Sequence, residues 1–462
     1  MGADVLETVI VFGLVGLLLV ATNRWSQHKR ALLGDPEPSP PAGTPGPWEA
    51  EVLAAKAALA AGSDAPPPMV PASTVLDAVG GQAVLFQQHV PPRRSARSYW
   101  GGRPTLPADL EWPTYTDPGG AERALGFLVQ VACDEVPAAG RLGIFPDRGT
   151  LFVFMELSWG YAWEWRCLYT PDDVSTCPPA EPPATLPPAY DGRATWGWPT
   201  DDADWPRLLP QWSFTPVVAG AVDPSVADES EDDPRFWPGR VDVAGLLDTL
   251  PGAVVEGGSP EAGHPRPWPG FPHDWRAALI CFGRVLRTYE GYAFPGTDPA
   301  ERARREQAAD WVARARTHAP DDPVPHADAD AMWEWLTADW LRAGLSLREA
   351  VPEAIEATLV HHPDPMSVLP EEALRIIASR HSLATVYDGR RRANINQTML
   401  APPTCVQAEA DERVGEWLLL LEVSDDPAIA HHLAEGVLQF WIRPADLAAR
   451  RFDRVELTAE AY

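Results

Sequence analysis

Lysine is nearly missing from this 462-residue chain, where only Lys29 and Lys56 occur, so its positive charge is almost all arginine. Positive charge is itself scarce: 37 Lys and Arg stand against 65 Asp and Glu, a net charge of −28. That balance argues against nucleic acid and against anionic lipid surfaces, both of which demand clustered basic residues. Cysteine is sparse and unpaired in pattern. The five (Cys133, Cys167, Cys177, Cys281 and Cys405) form no C-x-x-C, so neither a zinc clip nor a thioredoxin-type pair is present. Reduced thiols are expected in so long a chain. Also absent are G-x-S-x-G, a P-loop, a dinucleotide fingerprint and H-E-x-x-H, so a nucleophilic serine or cysteine has no local support.

Long apolar runs are lacking too, with one exception. Val9–Ala21 reads VIVFGLVGLLLVA without a charge. It is shorter than the roughly 20 residues of a full span, and a signal peptide would begin with positive charge and end in small residues. A single transmembrane helix explains it best, with membrane contact through residues 9–21. Arg24, Lys29 and Arg30 follow the run and no basic residue precedes it, which predicts the N-terminus outside and the body cytoplasmic at the cell membrane. Residues 1–30 are thus expected to be an anchor, and residues 31–70 a Pro-rich tether with one short helix.

What the chain has in excess is proline, 51 of them, and tryptophan, 20. The body is expected to be α+β, with antiparallel sheets carrying two degenerate strand repeats. LGFLVQVACDEVP and GTLFVFMEL, from Leu125, have a counterpart in WLLLLEVSDD and GVLQFWIRP. In each copy an apolar strand has one polar residue near its end, Gln130 or Glu422, and a glycine opens the next strand, Gly149 or Gly436. Residues 71–270 would hold the first half plus a Pro/Trp/acid-rich region, irregular from Asp172 to Gly270. Residues 271–385 read as a helical section, an insertion or part of the core, and residues 386–462 as the second half. Within the helical section, one helix is expected to end at Gly344 and the next to open at Ser346 with Glu349 at capping-box spacing.

The stretch YWGGRPTLPADLEWP, Tyr99–Pro113, mixes the stiffest and the most permissive backbone. It is expected to cross a sheet edge without pairing, pinned by Trp100 and Trp112. With Phe127, Leu128 and Gln130 it resembles the YwqG-like family, a bacterial domain of unknown function. Gly101, Gly102, Pro104, Leu106, Pro107, Trp112 and Pro113 carry the resemblance. MLAPPTCVQ, Met399–Gln407, is similar to a second element of that family, with Ala401 where glycine is usual. The resemblance covers about residues 95–169 and 394–455, and implies an α+β fold of two repeated halves. It implies no activity, cofactor or catalytic residue.

Candidate chemistry is thin. His361–His362 and His431–His432 offer imidazoles, but adjacent histidines diverge, so each pair gives one metal ligand at most. His326, Asp328 and Asp330 superficially resemble a calcium loop but lack its glycine and distant glutamate; Asp328 or Asp330 as a helix N-cap is simpler. Glu156 and Glu164, among aromatics and spaced for facing positions on a hairpin, have the look of a glycosidase pair. Cys133 and Cys167 fall in expected strands as core residues. No catalytic, cofactor or metal site is assigned. The function expected is a membrane-tethered, non-catalytic interaction module, its acidity suited to a basic protein partner. The alternative is a hydrolase using a carboxylate or His-containing cleft.

Overall fold

The computed structural model describes residues 82–157, 164–190, 205–220, 254–256, 266–291, 299–338, 340–362, 364, 367–379, 384–385, 391–393, 395–404, 408–414, 416–429 and 436–461. The strands are β1 (Gln82–Gln88), β2 (Tyr99–Trp100), β3 (Thr114–Thr116), β4 (Glu122–Ala124), β5 (Gly126–Ala132), β6 (Thr150–Met155), β7 (Trp165–Thr170), β8 (Trp212–Gly220) and β9 (Val254–Glu256). They continue as β10 (Ala384–Thr385), β11 (Arg391–Ala393), β12 (Ile395–Met399), β13 (Leu418–Ser424), β14 (Gly436–Ile442) and β15 (Glu456–Ala461). Between β9 and β10 lie helices α1 (Trp275–Gly291), α2 (Pro299–Ala315), α3 (His326–Thr337), α4 (Trp340–His361) and α5 (Glu371–Ser379). Two short helices follow, α6 (Ala408–Arg413) and α7 (Pro444–Ala448).

Ten strands form one sheet in the order β15-β14-β13-β12-β1-β8-β2-β5-β6-β7, all neighbours antiparallel. The order reads alike from both ends: β15-β14-β13-β12-β1 mirrors β7-β6-β5-β2-β8. The halves meet where β1 pairs with β8, Gln87 opposite Thr215, and there Phe86 and Phe214 stack with ring centroids 4.2 Å apart at 15°. The strand preceding each half lies against the other half's side of this junction, so the two are interleaved.

The sheet curls until its ends nearly meet. The indole N–H of Trp165 on edge strand β7 donates to the Val455 carbonyl, 3.1 Å away, just before β15. Tyr169 packs on Phe452 with centroids 5.3 Å apart. Side chains, not a ladder of backbone bonds, close this barrel-like sheet. Curling buries both faces, which is why β5, β6 and β14 are buried at every residue rather than at alternate ones. Helices α1 and α4 pack together beside the sheet and join the same core, with Ala278, Cys281, Phe282, Ile355 and Leu359 all nearly solvent-free.

Several expectations are corrected. The repeat is larger than two related strand pairs: each half contributes five strands to one ten-stranded, barrel-like sheet, beside which stand a three-stranded sheet, β10-β11-β9, and a two-stranded one, β3-β4. The N-terminal transmembrane helix is not supported: among the described residues no helix is long and apolar enough to cross a membrane, and residues 9–21 lie outside them. Tyr99–Trp100 does not cross the edge unpaired but is a strand inside the sheet, bonded to β5 on one side and β8 on the other. The region taken as irregular contains β8, a central strand. Helix α4 runs unbroken from Trp340 through Gly344 and Pro352 to His361. Helix propensity there yields to the apolar face built by Leu347, Val351, Ile355 and Leu359.

Candidate functional site

The two halves carry equivalent polar devices. In the first, Gln130 of β5 sits opposite Tyr99, and its Oε1 accepts the Thr105 N–H at 3.0 Å and the Thr105 hydroxyl at 3.1 Å. In the second, Glu422 of β13 sits opposite Thr398 and accepts the Thr404 N–H at 2.8 Å and hydroxyl at 2.7 Å. Both threonines follow a proline, Pro104 or Pro403. The turn before each begins at left-handed backbone, Gly101 at φ 59° and Leu400 at φ 47°. A Cβ on Gly101 would come within 2.2 Å of the Pro210 carbonyl oxygen, so glycine is needed there for close approach as well as for φ. Trp112 serves the same turn, donating its indole N–H to Leu125 O at 2.7 Å. These residues build the sheet, and apart from the buried Thr398 hydroxyl their side-chain polar groups are hydrogen-bonded.

A different kind of cluster lies where the start of α1 meets the end of α4. Asp274 caps α1: its Oδ1 accepts the Ala277 N–H at 2.7 Å, and Oδ2 accepts the Thr358 hydroxyl of α4 at 3.3 Å. His273 Nε2 contacts the Thr358 hydroxyl at 2.8 Å. Arg276, the second residue of α1, is 1% exposed. Its Nη2 donates to Asp321 Oδ1 at 2.7 Å, and His362 Nε2 lies 3.6 Å from that same oxygen. Burial of an arginine is costly unless the whole guanidinium is bonded. Here Nε and Nη1 have no partner.

The unpaired atoms continue from there. His361 Nε2, His273 Nδ1, Trp205 Nε1 and Tyr190 Oη are buried without hydrogen-bond partners. His361 and Trp205 are in ring contact at 5.7 Å, and Tyr190 and Val360 pack on Trp205. Burial, aided by the Arg276 charge, pulls His361 down to about 4, so it is neutral at pH 7. His273 is lowered by burial as well. Asp321 is held well below the usual carboxylate range by its bonds to His362 and Arg276. Tyr190 is raised far above its ordinary value by burial, with the nearby Glu356 adding to the effect.

The residues singled out in the sequence fare variously. His361 and His362 are brought together with Arg276 and Asp321, whereas His431 and His432 lie outside the described residues. Among the described residues no group of three or more metal-ligating side chains converges. Glu156 and Glu164 do face one another at the β6–β7 hairpin, the Glu156 N–H donating to Glu164 O at 2.8 Å. Glu156 is engaged with the Tyr115 hydroxyl, and Glu164 lies 3.4 Å from Arg166. Neither Asp328 nor Asp330 caps a helix: α3 opens at His326 after Pro325, Asp328 pairs with Arg314, and Asp330 pairs with Arg266. Cys133 and Cys167 are buried thiols, each pushed up to about 12 by burial. Arg276, Asp321, Trp205 and Tyr190 went unnoticed in the sequence, because no spacing links residues so far apart. The sole local signal was an arginine, Arg276, one residue inside the apolar pattern of α1.

A family model, domain of unknown function (DUF1963), matches residues 98–233 and 290–460, roughly two thirds of the chain. The chain belongs to this family. A comparison with curated proteins finds no match. The matched segments of this DUF1963 member include β2, β5 to β8 and β12 to β15, nearly all of the ten-stranded sheet. They also include α4 with His361 and His362, and the turn bearing Asp321. All but the last two residues of helix α1, Arg276 included, fall between the two matched segments.

Proposed function

We propose that this DUF1963 domain is a non-catalytic binding module whose ligand is received between the start of α1 and the end of α4. One observation carries the reading: Arg276 is buried with two guanidinium nitrogens unpaired, beside His361, Trp205 and Tyr190 in the same condition. Each buried unsatisfied donor costs about 1–3 kcal/mol, and such a concentration in one place is the mark of a site awaiting a partner. The nearer kinship within the family is YwqG-like, supported by Gly101, Gly102, Pro104 and Trp112 in the turn that Gln130 anchors. The test is a small-molecule library screened by melting temperature on the full chain and on Arg276→Lys. Ligands that stabilise the parent and not the variant support the reading; ligands indifferent to Arg276 defeat it.

Two other readings have specific support. The net charge of −28 favours a basic protein partner, whose capture should weaken steeply with salt. The facing Glu156 and Glu164 favour a hydrolase, for which Glu156→Gln and Glu164→Gln should abolish turnover of a chromogenic substrate.

A further inference from the structure

The unpaired atoms beside α4 are not all of one kind. Arg276 Nε and Nη1 and Trp205 Nε1 can only donate, whereas His361 Nε2, His273 Nδ1 and Tyr190 Oη can donate or accept. Asp321 adds an acceptor: Arg276 and His362 both meet its Oδ1, and among the described residues its Oδ2 has no partner. Asp321 and His362 are 44% and 33% exposed, so they form the rim, with the buried atoms beneath them.

Charge narrows the ligand. Among the described residues of the cluster, Arg276 is the one arginine or lysine; it is already matched by Asp321 at 2.7 Å, and Asp274 stands two residues before it. The histidines beneath the rim, His273 and His361, are held toward neutrality by burial. An anion would place a further negative charge on an arginine already neutralised, in low dielectric where that is expensive. The N-terminal amides of α1 offer it nothing, since those of Trp275, Arg276, Ala277 and Ala278 are bonded to Asp322, Pro320 and Asp274. A hydroxyl group meets both needs, accepting from the guanidinium or indole while donating to a carboxylate or imidazole. Several hydroxyls on a compact frame would satisfy this mixed set without adding charge.

Resting on the binding reading above, we propose that the Arg276–His361–Trp205 cluster binds a neutral saccharide, with Asp321 and Arg276 acting as a donor–acceptor pair for adjacent hydroxyls. Entry requires the rim to part, His362 moving away from Asp321, because the unpaired atoms have no contact with solvent as they stand.

The experiment is ligand-observed saturation-transfer NMR and Trp fluorescence on the full chain. The probes are neutral mono- and disaccharides, glucuronate and a hexose phosphate as anions of equal size, and a capped tripeptide. Trp205→Phe removes the indole N–H and keeps a ring, His361→Asn alters the neighbouring nitrogen, and Arg375→Gln, at an exposed Glu371 pair, is the distant control. The expected result is binding of a neutral saccharide, weakened roughly five- to tenfold by Trp205→Phe and by His361→Asn and unaffected by Arg375→Gln. Preference for the anions or the tripeptide, still sensitive to Trp205 and His361, would overturn the saccharide inference and leave the binding site standing. Binding by no probe, or binding indifferent to both variants, would overturn both.

Discussion

Gln130 and Glu422 hold the same register position in the two halves of the sheet, and each clasps the backbone and hydroxyl of a threonine that follows a proline. One is neutral and the other an acid. Glu422 is sealed from solvent, and burial raises it above its ordinary value, with Glu460 adding to the rise. Its folded state therefore holds the proton more firmly than the unfolded chain does. The stability it contributes is complete below the unfolded value and is lost as pH climbs through the folded one. Glu422→Gln, which copies the other half, is expected to raise stability above that window by an amount on the order of 1 kcal/mol and to change little at pH 4. Urea unfolding at pH 4 and pH 8 measures it, and an equal effect at both would contradict the assignment.

Gly101→Ala should be severe. A side chain there meets the Pro210 carbonyl at 2.2 Å and must hold φ 59°, a conformation costing roughly 1–2 kcal/mol without glycine before any clash. Leu400→Gly, at the equivalent turn, removes a buried side chain but relieves backbone strain, so its loss of stability should be the smaller of the two. Paired thermal melts decide the order.

The Arg276–Asp321 pair gives the opposite pH sign from Glu422. Asp321 is held low, so its contribution is present above the unfolded carboxylate value and is lost as pH falls through the folded one. Asp321→Asn should abolish that acid-side loss and destabilise at pH 7, by less than the roughly 3–5 kcal/mol of a fully buried broken pair because Asp321 is half-exposed. A flat acid limb in the variant's stability profile is the expected outcome; an unchanged limb would assign the acid sensitivity elsewhere.

Thiol chemistry offers a fourth check. Cys133 and Cys167, fully buried and raised to about 12, and Cys281, buried against α4, should resist alkylation in the native state. Half-buried Cys177 should react first. Replacing Cys405 by serine keeps the count clean. Rapid labelling of a second thiol before unfolding would mean the sheet opens locally.

What the sequence disclosed was governed by periodicity and by local chemistry. The strands flanking Gln130 and Glu422 stood out because apolar runs ended in one polar residue and a glycine opened the next strand. Gly101 and Gly102 stood out because two glycines beside prolines rarely serve anything but a turn. The central strands were hidden. β8 carries Pro216 and lies in a stretch of acids and tryptophans, and proline argues against a central strand. β2 is two residues long, too short for any period. Gly344 read as a helix end, yet α4 spans it, since tertiary packing outweighs propensity. The candidate site was the least legible part. Arg276, Asp321, Trp205 and Tyr190 meet only through the fold, and a lone arginine within an apolar helix pattern carries no spacing to read.

The interleaving of β1 and β8 bears on how the chain is made. Gln88, beside the junction, bonds to Asp426, 338 positions later, and β1 also pairs with β12 near the C-terminus. Contacts of such span close slowly. A nascent chain leaving the ribosome thus carries β1 without one neighbour until most of the polypeptide has emerged. The middle of the sheet is the last part to be completed, and until then the first half has an open apolar edge that a chaperone would recognise.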